Sequence, residues 1–149
     1  MKKLVLEYWT PLLLWLILLL VFSTDSFSPD ETSKIVVTLL RAVFPGLSPD
    51  QLLFWHTVIR KTAHVTGYFV LAVFTYRCLK REQHDLMQPK LLTLCLVVFA
   101  AGFDEIHQGF TLFRAASAVD VGYDCLGAVL ALRLITTYET WRLRSHPIL

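Results

Sequence analysis

The chain has 149 residues, 55% of them hydrophobic and 17% charged, with a formal net charge of +2. Soluble domains average about 45–50% apolar and about 25% charged residues, and a mean hydropathy of +0.55 leans the same way. This balance excludes a disordered chain and a disulfide-stapled secreted domain, and so small a net charge excludes an electrostatic reader of nucleic acid. The length fits one domain, and the expectation is a single small integral membrane protein.

A membrane-spanning helix needs about 20 mostly apolar residues. Four segments come close, at residues 4–22, 58–76, 89–108 and 119–138. The first carries Tyr8 and Trp9 as interfacial aromatics, and Pro11 falls near its start, where a missing N–H costs little. Met1-Lys2-Lys3 ahead of an apolar run also describes a signal peptide, but no small-x-small alanine site follows, so an uncleaved anchor is expected. In residues 23–57, Ser28-Pro29-Asp30-Glu31 has the spacing of a capping box with proline at the first helical position. Ile35, Val36, Leu39, Leu40 and Val43 follow at helical spacing. Pro45-Gly46 closes that helix, and Ser48-Pro49-Asp50-Gln51 repeats the start signal. We read an amphipathic helix on the outer membrane surface, then a short helix leading into the second span. A helix packed on top of the bundle requires the same pattern. The fold class expected is all-α, a membrane bundle of four transmembrane helices with an amphipathic helix in the first extracytoplasmic loop.

Orientation follows from Lys and Arg near the span ends. One side collects Lys2, Lys3, Arg77, Lys80, Arg81, Lys90, Arg142 and Arg144, with Arg133 able to snorkel there. The other collects Lys34, Arg41, Arg60, Lys61 and Arg114. The richer side is cytoplasmic by the positive-inside rule, which puts both termini in the cytoplasm. Cys78, Cys95 and Cys125 form no metal-type pair and read as small packing residues.

The ionisable residues that interrupt the spans all fall at the outer end. The second span opens with Arg60, Lys61, His64 and Tyr68, and the third closes with Asp104, Glu105, His107 and Gln108. The next loop carries Arg114 and Ser117, and the fourth span opens with Asp120 and Asp124. Arg60, His64 and Tyr68 share one helix face, as do Asp104 and Gln108, and Asp120, Asp124 and Gly127. Counting helical rise from Arg77 and Lys90 places His64 and Asp104 roughly 20 Å in, at a similar height. That describes a recessed outer-leaflet pocket. Charges facing lipid at such depth cost about 2.5–3.5 kcal/mol each, so these residues should face the interior. A self-compensating ion-pair network fastening three helix ends is the plainest reading. A histidine and this many charges exceed what fastening requires.

At these residues the chain resembles the VanZ family of bacterial membrane proteins. The match runs through Arg60-Lys61-x-x-His64-x-x-x-Tyr68, then Asp104-Glu105-x-x-Gln108-x-Phe110, then Arg114-x-x-Ser117-x-x-Asp120-Val121 and Gly127, over roughly residues 57–131. The chain has Leu112-Phe113 where the family usually shows Pro-Gly, and Asp124 where it often has Asn. The resemblance implies a protein of the cell envelope in the bacterial cytoplasmic membrane, and the family is named for low-level resistance to teicoplanin. It supplies no established chemistry.

Three functions fit these residues. The leading expectation is a site that binds or processes an anionic lipid-linked envelope molecule, such as a cell-wall precursor or an anionic lipid. Arg60, Lys61 and Arg114 would face its phosphate or carboxylate, and the ligand set would comprise Arg60, Lys61, His64, Tyr68, Asp104, Glu105, Gln108, Arg114, Ser117, Asp120 and Asp124. The second is acid–base hydrolysis with His64, Asp104 and Glu105 as catalytic candidates. No nucleophile motif accompanies them, and Ser117 reads as a helix cap. A metal-dependent variant would use His64, Asp104, Glu105 and Asp120, with His107, but the nearby arginines argue against a cationic centre. No metal, cofactor or nucleic acid is therefore expected. The third is a small scaffold subunit docking an unidentified protein partner through Phe44, Phe54 and Trp55.

Overall fold

Proline opens every regular helix but the last in the computed structural model, which describes residues 5–82, 88–110 and 117–145. The helices are α1 (Thr10–Phe22), α2 (Pro29–Val43), α3 (Pro49–Glu82), α4 (Pro89–Gly109) and α5 (Ala118–Ser145), and the described residues contain no strand. A first-turn N–H has no intrahelical partner, so proline loses nothing there and its fixed φ favours the helix. Before Pro11 the chain widens into a π-helical turn, Val5–Trp9. The Thr10 hydroxyl donates to the Val5 carbonyl at 3.1 Å within it.

Both start signals in residues 23–57 form caps, in different ways. The Ser28 hydroxyl accepts from the Glu31 N–H at 3.4 Å, but the Glu31 carboxylate turns outward to Lys34 at 2.6 Å. The Ser28 N–H instead donates to the Asp25 carbonyl through a short 3₁₀ turn, Asp25–Phe27. At Ser48 the reciprocal box is complete: Gln51 N–H donates to Ser48 Oγ at 3.3 Å, and Ser48 N–H to Gln51 Oε1 at 2.9 Å. The separate short helix expected before the second span is corrected by the structure. No Gly or Pro interrupts residues 50–66, so α3 runs unbroken from Pro49 to Glu82, about 50 Å long at the standard rise.

Helices α3, α4 and α5 pack against one another, and α1 lies on α3. Small side chains make the close approaches: Ala72, Ala101, Ala128 and Ala131 are fully buried beside Leu71 and Val97. The tightest point is Gly127 on α5, where an added Cβ would lie 2.2 Å from the Val65 carbonyl oxygen and 2.9 Å from the Phe69 nitrogen on α3. The Trp15 indole N–H fixes α1 by donating to the Gly67 carbonyl at 2.9 Å. Outside this core, large apolar side chains face outward from several helices, including Leu13, Ile17, Phe99, Phe103, Leu130 and Leu134. The total accessible surface is 10467 Å², whereas a compact soluble monomer of this mass exposes about 7,800 Å².

One end of the packed helices is tied by Glu139 of α5. Its carboxylate accepts from the Tyr76 hydroxyl at 2.6 Å and from Lys80, both on α3, and pairs with Lys90 of α4 at 2.9 Å. Against the desolvation that burial imposes, these hydrogen bonds from Lys80, Tyr76 and Lys90 pull the carboxyl down to about 2. A depressed carboxyl contributes stability above its ordinary value of 4.5 and loses it as pH falls through the folded value. Acidifying the detergent-purified protein from pH 4.5 to 2 should therefore lower its melting temperature, and Glu139→Gln should flatten that slope. A slope unchanged in the variant contradicts the assignment.

Candidate functional site

The opposite end of the same helices carries the other polar side chains. The α5 face formed by Asp120, Asp124 and Gly127 lies along the α3 face formed by Lys61, His64 and Val65. Lys61 Nζ is 3.8 Å from Asp120 Oδ1 and 4.0 Å from the centre of the Tyr123 ring. One turn deeper, His64 Nδ1 is 3.1 Å from Asp124 Oδ1. Gly127 follows and lets the two backbones touch. The close approach sets the register, so each α3 side chain meets its α5 partner one turn at a time.

Helix α4 closes the third side. Asp104, Glu105 and Gln108 are all buried there. The Gln108 amide donates to Asp104 Oδ2 at 2.8 Å, the i,i+4 pairing expected from one helix face. Glu105 turns the other way and accepts the Ser117 backbone N–H at 2.6 Å, while the Ser117 hydroxyl caps α5 by accepting from the Asp120 N–H at 3.3 Å. Asp104, Glu105 and Asp124 each offer an oxygen, and these oxygens lie within 4.8 Å of one another.

Arg60, His64 and Tyr68 line a cavity of about 250 Å³ together with Asp104 and Gln108. Leu19 and Phe22 of α1, with Phe27, form its apolar wall, and Ser23 and Thr32 complete the rim. Among the described residues Arg60 has no carboxylate within 4.0 Å, although Lys61 beside it does.

The structure therefore regroups several residues. His64 reaches Asp124, whereas sequence spacing directed it to Asp104 or Glu105. Asp120 belongs to Lys61, and His107 pairs with Ser23 Oγ at 3.3 Å, away from the carboxylates. Arg114 lies outside the described residues. The contribution of Ser23, Phe22 and Phe27 to the cavity was missed, as was the burial of His56. Its Nε2 is 3.3 Å from the Thr32 hydroxyl, and burial together with the Arg60 charge pushes the imidazole pKa down, leaving it neutral at pH 7. The run Ser23-Thr24-Asp25-Ser26 had no periodicity to mark Ser23, which reaches the cavity from the end of α1.

No curated protein and no solved structure matches the chain. A family model does, over residues 8–139, a range that takes in α1 and the polar residues of α3, α4 and α5 described above. By that match the chain belongs to the VanZ/LLP1 family.

Proposed function

We propose that this is a four-span protein of the bacterial cytoplasmic membrane, with both termini cytoplasmic, whose cavity binds the head group of an anionic lipid-linked envelope molecule from the outer leaflet. Membrane placement is supported by α1, since residues Val5–Phe22 are long and apolar enough to cross a bilayer at a mean hydropathy of 2.1. It is supported too by the surface excess and by the outward Leu, Ile and Phe side chains of α1, α4 and α5. Helix α2 buries no residue and exposes Ile35, Leu39 and Val43, which suits a helix lying in the interface.

One observation carries the ligand reading: a cavity with apolar walls and a polar floor in which Arg60 has no carboxylate within 4.0 Å among the described residues. A guanidinium with no ion-pair partner among the described residues, beside apolar walls, suits a phosphate or pyrophosphate on an acyl or polyprenyl tail. Tyr68 and Gln108 would add donors to the head group. Lys61, Ser117, Asp120, Asp124 and Glu105 would hold the helices around it, and Arg114 would approach from the loop. A cell-wall precursor in this place would connect the protein to teicoplanin tolerance.

A hydrogen bond to a charged group contributes about 1.5–3 kcal/mol, which is about tenfold or more in affinity. Arg60→Ala should therefore cut the anionic lipid retained through detergent purification at least tenfold, read by native mass spectrometry, without changing elution or melting temperature. An unchanged lipid complement in the folded variant rejects the reading. A second reading, acid–base hydrolysis, is favoured by the His64–Asp124 pair on the cavity side of α3. The fastening network is favoured by the Lys61–Asp120 and His64–Asp124 pairs, which join α3 to α5, but it gives Arg60 no task.

A further inference from the structure

The three buried carboxylates at the α4–α5 contact have more acceptor oxygens than the surrounding donors serve. Asp104 gives one oxygen to Gln108, Glu105 gives one to the Ser117 N–H, and Asp124 gives one to His64. Their second oxygens are another matter. Among the described residues, Glu105 Oε1 and Asp124 Oδ2 have no hydrogen-bond partner, and both are buried on residues only 4% and 0% exposed. Buried polar atoms are normally paired, and three carboxylates this close repel one another unless a positive charge lies between them. Lys61, on the α3 face beside Asp124, is engaged by Asp120.

We propose that Asp104, Glu105 and Asp124 bind one divalent cation of the hard, oxygen-preferring class of Mg²⁺, Ca²⁺ and Mn²⁺. One oxygen from each lies within 4.8 Å of the others. An ion with oxygen ligands at about 2.0–2.6 Å bridges oxygens up to about 4–5 Å apart, so a single ion can reach all three. The set contains no sulfur, and carboxylate oxygens suit hard cations such as Mg²⁺, Ca²⁺ and Mn²⁺. The oxygens used by Gln108, Ser117 and His64 hold each carboxylate in orientation, as the supporting partners of metal ligands do. Asp104 alone of the three lines the cavity, so the ion would be reached from that side and keep open positions toward it. The site stands apart from the lipid reading, since it rests on the carboxylates alone.

The test uses Mn²⁺ by itself on the full chain, purified in detergent and stripped with chelator, with free Mn²⁺ followed by electron paramagnetic resonance. One saturable Mn²⁺ per chain is expected, displaced by Mg²⁺ or Ca²⁺ and accompanied by a higher melting temperature. Glu105→Gln keeps an amide oxygen for the Ser117 N–H, and it should weaken binding at least tenfold, as should Asp104→Asn. Absence of saturable binding to the folded wild-type chain overturns the site, whatever the variants do. Wild-type affinity in a folded Glu105→Gln or Asp104→Asn protein overturns it equally.

Discussion

Gly127→Ala is expected to destabilise the protein by about 1–3 kcal/mol or more, the range for forcing an extra methyl into a packed interface. The new Cβ would fall 2.2 Å from the Val65 carbonyl oxygen. That atom belongs to the backbone of α3, so no side-chain rotation relieves the clash and the two helices must separate. Separation would also lengthen the Lys61–Asp120 and His64–Asp124 contacts, which depend on the same register. Gly122 provides the control on the same helix, because an added Cβ there meets nothing within 4 Å. Gly122→Ala should be neutral or stabilising by about 0.5–1 kcal/mol, the helix-interior preference for alanine over glycine. Melting temperatures of the two variants in the same detergent decide the matter, and equal shifts would contradict the close contact.

His64→Leu should cost about 1–3 kcal/mol or more, the penalty for leaving a buried carboxylate oxygen without its donor. Asp124 is 0% exposed, and one of its oxygens already has no partner among the described residues. Without His64 the other oxygen loses its donor as well. The double variant His64→Leu/Asp124→Leu removes the stranded carboxylate together with its partner, and it should lose less than the sum of the single changes. Asp124→Asn keeps an acceptor for the imidazole while removing the charge, and should cost least of the single changes. Thermal denaturation across this cycle checks the order. A His64→Leu protein as stable as wild type would mean that the pair contributes nothing to packing.

Several features of the fold were legible because they are local. Ser28 and Ser48, each followed by proline and then by Glu31 or Gln51, mark helix starts by chemistry that operates within four residues. Pro89 and Ser117 do the same for α4 and α5. Shared helix faces were equally legible, since spacing alone puts Arg60, His64 and Tyr68 in one row and Asp104 beside Gln108. Both rows line the cavity. Pairing across helices was not legible in this way. Asp104, Glu105, Asp120 and Asp124 are equivalent to His64 in any argument from charge and depth, and only the crossing of α3 and α5 selects Asp124.

The amino-acid sequence by itself determined the all-α character, the helix starts, the family and the gathering of charged residues at one end, because apolar periodicity, capping and motif order are properties of neighbouring residues. The tertiary structure alone decided which of those residues meet. Gly127 brings two backbones into contact and thereby fixes the His64–Asp124 and Lys61–Asp120 partners. The end of α1 and the turn after it bring Phe22, Ser23 and Phe27 to the cavity, and α4 sets Asp104 and Glu105 against Asp124. Such contacts depend on the rotation and separation of whole helices, which no spacing along one helix can specify.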